Sequence, residues 1–356
     1  MRIEIVKPWE RAEWDAYVAS HPGATVYHAS AWIRTVCEAG RYEALGFSCY
    51  DEDGRLSGVL PAAAVRSALT GNRLTSLPFS DACFPIADDA DGASALVAAA
   101  LDMREGRRYR FFEMRGTPAV REGAAPTPGA LGFLPSSHFV GYATPLSADP
   151  EVVRRTFSKT AVRQTINKAI KLGVTVRRGE GAADLRAFHD LYARNRRRHG
   201  IPPQPLSLFT SLLAHLRGSP EAALYLAEHG GRPLAGLIVV RFAGVTYAKY
   251  EGVDEERRDL LPVYPLLWQA IADACVAGDQ AFDFGRTATD NPGLMAFKSR
   301  WGTESIEMPY YFSPPSEGLS TVRSDSFKYR AFTGVVRRLP ASVGVWLGAR
   351  IFRHFG

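Results

Sequence analysis

The residues best suited to chemistry lie in Phe282-Asp283-Phe284-Gly285-Arg286 and in Asn291-Pro292-Gly293-Leu294-Met295-Ala296-Phe297-Lys298-Ser299-Arg300-Trp301-Gly302. The first reads as a short apolar strand ending in an acid and an arginine. A Gly/Pro/Asn loop then leads to a short segment carrying Lys298. Loops at strand ends are where a rigid scaffold presents reactive groups. Asp283, Arg286 and Lys298 therefore group as charged residues near one mostly apolar site, a pattern that suits transfer of a small group. When a nucleophile adds to an ester or thioester carbonyl, negative charge develops on oxygen, and a fixed cation in a water-poor cleft lowers that barrier. Lys298 is the first choice for that cation. Asp283 either accepts the nucleophile's proton, if burial raises its pKa, or forms a salt bridge with Arg286.

Two basic runs stand beside this segment. Arg154 to Arg178 holds eight cations, Arg154, Arg155, Lys159, Arg163, Lys168, Lys171, Arg177 and Arg178, with no acid among them. Helical phasing buries Val162, Ile166 and Ile170 and leaves Lys159 and Arg163 at the edge of that stripe. The second run is Arg194-Asn195-Arg196-Arg197-Arg198-His199. Each is either a solvated helix face or a surface for a phosphate-bearing acceptor or a transfer RNA.

Other signatures are absent. Asp283-Phe284-Gly285 spells the magnesium tripeptide of protein kinases, but no Gly-rich loop, strand lysine or His-Arg-Asp loop accompanies it. There is no G-x-S-x-G elbow and no Walker or dinucleotide fingerprint. The eight histidines show no metal spacing, and no metal is expected. Cys37, Cys49, Cys83 and Cys275 are scattered, without a CxxC or a Cys/His pairing, which fits a reducing compartment.

The elements that must position these residues form a unit used twice. Asp51-Glu52-Asp53-Gly54 and Gly230-Gly231 are Gly-ended hairpin turns between strand-like runs, each followed by an arginine, Arg55 or Arg232. Each hairpin leads through a helical stretch to an apolar strand ending in an acid and an arginine. The first such end is Phe111-Phe112-Glu113-Met114-Arg115-Gly116, and the second is the segment around Asp283. The boundaries expected are 1–145 for the first unit, 146–312 for the second and 313–356 for a linker and basic tail. Helices are expected from Asp149-Pro150, from Asp184 to Gly200, and from Pro205 to Leu216. Phe327 to Gly356 reads as a basic amphipathic helix, either docked on the protein's own body or lying on an anionic inner-membrane surface.

The 356 residues suit two ordinary domains, and 46% hydrophobic with 22% charged residues is a globular composition. The formal charge of +6 favours anionic partners. Met1 to Tyr17 is interrupted by Glu4, Lys7, Glu10, Arg11, Glu13 and Asp15, no apolar run could span a bilayer, and a cytoplasmic location is expected.

The ensemble resembles the Fem family (FemABX-like), whose members attach amino acids to peptidoglycan precursors. The likeness covers most of Thr25 to Phe312. It is carried by Phe282 to Arg286, Gly293-Leu294, Phe297-Lys298, Trp301-Gly302, Asn167-Lys168-Ala169 to Leu172-Gly173-Val174, and His189 to Ile201. Ser76-Leu77-Pro78-Phe79-Ser80-Asp81 and Gly58-Val59-Leu60-Pro61 resemble an exosortase- and exopolysaccharide-associated subset. The resemblance implies an α/β (α+β) fold of tandem GNAT-like acyltransferase domains with mixed central sheets. It implies an acyl- or aminoacyl transferase acting on an anionic cell-envelope or exopolysaccharide precursor, with Lys298 stabilising the transferred acyl group. Phe297, Arg286, Trp301, Tyr250, Lys159 and Arg163 are then expected beside the substrate, with Arg196 and Arg198 among the arginines that meet the acceptor phosphate. Asp81 either shapes the acceptor pocket or is a turn or cap residue.

Two departures leave the donor open between aminoacyl-tRNA and acyl-CoA. Too few residues separate Leu216 from Ala223 for the helical arm of the cell-wall enzymes. The turn that cradles pyrophosphate in coenzyme-A-using relatives reads Glu256-Arg257-Arg258-Asp259-Leu260-Leu261-Pro262, without glycine. The rival functions are a coenzyme-A-dependent N- or O-acyltransferase and a non-catalytic protein that binds an anionic polymer or membrane.

Overall fold

The computed structural model describes residues 1–68, 70–135, 139–314 and 327–354. Of the expected linker, residues 315–326 lie outside the described residues. The chain divides into two compact units. One comprises Met1–His138, Met308–Arg323 and Ile351–Gly356; the other comprises Phe139–Glu307 and Ser324–Arg350.

The first unit is built on strands β1 (Arg2–Val6), β2 (Glu43–Tyr50), β3 (Leu56–Val65), β4 (Arg73–Thr75), β5 (Ile86–Ala87), β6 (Phe112–Arg115), β7 (Ala119–Val120) and β8 (Leu134–Pro135). Helices α1 (Ala12–Ser20), α2 (Ser30–Gly40) and α3 (Ala90–Gly106) cover them. The second holds β9 (Phe139–Pro145), α4 (Pro150–Thr156), α5 (Gln164–Lys171), β10 (Thr175–Gly179), α6 (Gly181–Arg198) and α7 (Leu206–His215). It continues with β11 (Glu221–His229), β12 (Arg232–Phe242), β13 (Val245–Val253), α8 (Val263–Val276), β14 (Ala281–Ala288), α9 (Pro292–Ser299) and β15 (Glu304–Glu307). Strand β16 (Tyr310–Ser313) returns to the first unit, and α10 (Phe327–Arg338) and α11 (Ala341–Ile351) follow it.

The two sheets share one plan. In the first, β1, β2, β3 and β4 are antiparallel neighbours and β6 joins parallel to β4. In the second, β10, β11, β12 and β13 are antiparallel neighbours and β14 joins parallel to β13. The parallel step in each follows a long crossover helix, α3 or α8, as parallel pairing requires. The duplicated α/β architecture read from the hairpins is thus present. A further symmetry concerns the strand beside each acid-arginine strand. β16 pairs with both β6 and β8, while β9 pairs with both β14 and β15. The first sheet therefore takes β16 from beyond its own main run of sequence, whereas β9 opens the second unit's run.

The two acid-arginine strand ends differ in role. Glu113 and Arg115 are fully buried and paired at 2.7 Å, and Arg115 also donates to Ser80 O at 2.9 Å. That pair is part of the first unit's interior. The second unit's core gathers Phe157, Ile166, Leu237, Leu266, Ile271, Phe282, Phe284 and Trp301. Phe282 and Phe284 enter it from one face of β14, so alternation sends Asp283 to the other.

The expected single tail helix is two helices separated at Leu339-Pro340, where proline cannot continue an α-helix interior. The tail docks on the second unit. Thr333 and Val336 are buried, Arg197 donates to Leu339 O at 3.1 Å, and Gly348 lies so close to Pro203 that a Cβ would sit 2.2 Å from its carbonyl oxygen. Val343, Trp346 and Arg350 stay exposed along one stripe of α11, with the guanidinium over the indole at 5.0 Å.

Candidate active site

Helix α9 starts because Asn291 accepts a hydrogen bond from Leu294 N at 3.1 Å and Pro292 occupies the first turn. This short helix directs Lys298 back to β14. Between Asp283 and Arg286 the β14–β9 register slips, and Gly285 takes φ +70° there, a conformation glycine adopts without strain. The bulge turns three consecutive carbonyls towards Lys298. Its Nζ donates to Phe284 O at 2.7 Å, Gly285 O at 2.8 Å and Arg286 O at 3.3 Å. An ammonium has three donors. Lys298, only 6% exposed, is thus engaged in holding the bulge.

Phe297, Trp301, Asp283 and Arg286 do assemble around this point. Asp283 accepts from Gly285 N at 2.6 Å, and the Arg286 guanidinium lies over the Phe139 ring at 4.4 Å. Trp301, expected beside the substrate, is wholly buried, packed on Phe157 at 5.2 Å and on Tyr264, Phe284 and Phe297 at 6.0 Å each. It supports the site from within the core. Gly302 follows at φ +66°, closely packed on Thr156.

Tyr250 is also buried, on β13, with its ring against Phe209 at 5.0 Å and Tyr192 at 6.2 Å. Arg196 and Arg198 lie on α6. The Arg196 guanidinium sits over Tyr192 at 5.9 Å, and Arg198 pairs with Glu255 at 3.4 Å. Arg194, Arg197, Arg198 and Arg337 share a hollow of about 390 Å³ with Asp254, Glu255 and Glu256, so its charge is largely balanced. Lys159 and Arg163 begin and end a single π-helical turn ahead of α5. Asp81 belongs to the first unit, where its carboxylate accepts from Tyr27 Oη at 2.7 Å.

The sequence reading missed Glu251. The β12–β13 register shifts between Ile238 and Val239. Beyond that shift Glu251 pairs with Leu237, a core residue, and so shares its face of the sheet. Water reaches Glu251, but the protein packed around it removes much of its hydration. Burial pushes its carboxyl up to about 7, Lys298 opposes that rise, and Glu255 adds to it. A carboxyl poised there exchanges a proton near neutral pH. The only hint in the chain was its place between Tyr250 and Gly252, where a Cβ on the glycine would meet Tyr192 N of α6 at 2.5 Å.

The connection from β13 to α8 is a 3-10 segment, Glu255–Leu260, capped by Asp254. Three successive carboxylates and no glycine make it a poor cradle for the diphosphate of coenzyme A. Among the described residues, no cluster of His, Cys, Asp and Glu could hold a metal ion, and no helix is long and apolar enough to cross a membrane.

Residues 157–299 match the family described as Acetyltransferase (GNAT) domain. No curated protein matches the chain. Among solved structures, the chain is similar to FemX at 18% identity, with a TM-score of 0.68 over 88% of this chain and 97% of that one. It is similar to a conserved protein of unknown function from Bacteroides thetaiotaomicron at 10% identity, with a TM-score of 0.61 over 87% and 99% of the two chains. It is also similar to L-PGS from Bacillus licheniformis at 14% identity, with a TM-score of 0.51 over 94% and 99%. At these identities the likeness is one of fold.

Proposed function

We propose that this acyltransferase, whose residues 157–299 match an acetyltransferase (GNAT) domain, transfers an acyl or aminoacyl group to an amine of an anionic cell-envelope precursor. The observation that carries this reading is the buried Lys298 ammonium, held by three carbonyls of the β14 bulge at 2.7, 2.8 and 3.3 Å, with the raised carboxyl of Glu251 within its electrostatic reach. The acceptor amine attacks the ester or thioester carbonyl, forming a C–N bond. Glu251 takes the amine proton, and the carbon–oxygen or carbon–sulfur bond to the donor breaks as the leaving group departs and is protonated. Lys298 supplies fixed positive charge to the developing oxyanion. Its 3.3 Å contact to Arg286 O is the longest of the three, and that donor is the one an oxyanion takes over.

The donor is an aminoacyl-tRNA or an acyl-CoA, and the exopolysaccharide pathway is a second source of acceptor. The exposed Val343, Trp346 and Arg350 give the docked tail a face that suits the headgroup region of an anionic inner membrane. Incubating the protein with labelled acetyl-CoA or aminoacyl-tRNA and an envelope-precursor extract tests the reading. Label should enter an amine-bearing, phosphate-bearing product, and Glu251→Gln should lower the rate by about 10²–10⁴-fold. Equal labelling by both proteins would refute it.

A further inference from the structure

Beside the Phe-Lys-x-x-Trp-Gly element lies a hollow of about 290 Å³ lined by Arg154, Arg155, Lys159, Arg163 and Asn167, with Glu151 as its only acid. Glu151 is engaged with Arg154 at 3.3 Å, and Arg154 also donates to Asn167 at 2.6 Å. Among the described residues, Arg155, Lys159 and Arg163 have no carboxylate within ion-pair distance. The Nε of Arg163 is buried without a hydrogen-bond partner, although such atoms are costly to leave unpaired. Other cations in this unit are matched by acids. Arg177, for example, pairs with both Asp184 and Glu228. Three unpaired cations around one concavity are therefore arranged for an anion from outside.

This hollow is joined to the proposed reaction centre by packing. Phe157 stacks edge-on to Trp301, Ser158 N donates to Arg300 O at 2.9 Å, and Thr156 abuts Gly302. A break between α4 and the π-helical turn sets Arg155 on one side of these contacts and Lys159 with Arg163 on the other. Insertion of a π turn is itself a common mark of a binding site.

We propose that the hollow formed by Arg155, Lys159 and Arg163 binds the diphosphate group of a substrate of the transfer reaction. The proposal rests on the acyltransferase reading for the identity of the ligand as a substrate, but not for binding itself. Three unopposed positive charges match a diphosphate better than a single phosphate. The concavity holds a compact group rather than a length of strand. The arginine hollow on α6 is the weaker candidate because Asp254, Glu255 and Glu256 line it as well. The diphosphate belongs either to a nucleotide-containing donor or to a lipid-linked acceptor.

Calorimetric titration with inorganic diphosphate, adenosine diphosphate and farnesyl diphosphate tests this at 0.05 and 0.15 M salt. Inorganic diphosphate should bind the wild-type protein, more weakly at the higher salt. Arg155→Ala/Lys159→Ala, two exposed positions, should weaken it at least about tenfold, whereas Arg196→Ala/Arg198→Ala should leave it unchanged. Tighter binding of the adenosine compound marks the donor as the source, and tighter binding of the farnesyl compound marks a lipid. Unchanged affinity in the first double variant, loss only in the second, or tighter binding of bulk transfer RNA than of any diphosphate at both salts would overturn the proposal. Glu251→Gln should bind inorganic diphosphate like wild type. If the hollow binds but Glu251→Gln keeps full transfer activity, the catalytic reading fails and the site stands.

Discussion

Gly302 and Thr156 approach so closely that a Cβ on the glycine would lie 2.1 Å from Thr156 Oγ1. This contact fastens the end of the Lys298 segment to the end of α4, and with it the basic hollow to the bulge on β14. Gly302→Ala forces the two apart in a backbone conformation, φ +66°, that alanine adopts with strain. Urea denaturation should show a loss of about 1–3 kcal/mol.

Lys298→Met tests the role of the ammonium. The Phe284, Gly285 and Arg286 carbonyls lose their donor, and a stability loss of about 1–3 kcal/mol is expected from urea midpoints. The positive charge that opposes the rise of the Glu251 carboxyl also vanishes. Any residual activity should therefore show its rising limb displaced to higher pH, an effect that simple loosening of the fold would not produce.

Much of the positioning was legible in the chain. Asp149-Pro150 announced α4 and the Gly-ended turns announced both hairpins, because caps and turns are local chemistry, whereas Asn291-Pro292-Gly293, read as a loop, caps and opens α9. The return of β16 to the first unit was not legible, since it depends on pairing between segments far apart in sequence. Trp301 was expected at the substrate because of its motif, but its burial is decided by Phe157 and Tyr264, from other elements. Glu251 escaped notice for the same reason. A lone acid on a strand gains its character from Lys298, Glu255 and the protein around it, and none of these adjoins it in sequence.

His28 gives a pH dependence in the first unit. It is fully buried, with Nε2 3.0 Å or less from a backbone carbonyl, Phe84 O at 2.8 Å, and burial holds its imidazole down at about 4. The unfolded chain takes up this proton near pH 6.5, whereas the native state does not until about 4. Stability is therefore intact above 6.5 and falls as pH drops towards 4, by up to about 3 kcal/mol. His28→Asn should flatten that limb of a thermal-melting profile at the cost of a lower plateau.

Glu251 has the opposite sign. Its carboxyl titrates near 4.5 in the unfolded chain and near 7 in the native one, so native stability declines as pH rises across that window. Solvent contact moderates the effect. Glu251→Gln should match the wild type below pH 4.5 and exceed it in thermal stability at pH 8.

The most direct measurement is a carbon-13 NMR titration of the glutamate side-chain carboxyls in the wild-type protein and in Glu251→Gln. One carboxyl should titrate near 7 in the wild type and vanish from the variant. If every glutamate titrates at about 4–5, or if the high-titrating signal persists in Glu251→Gln, then Glu251 is not the proton acceptor and the mechanism is contradicted.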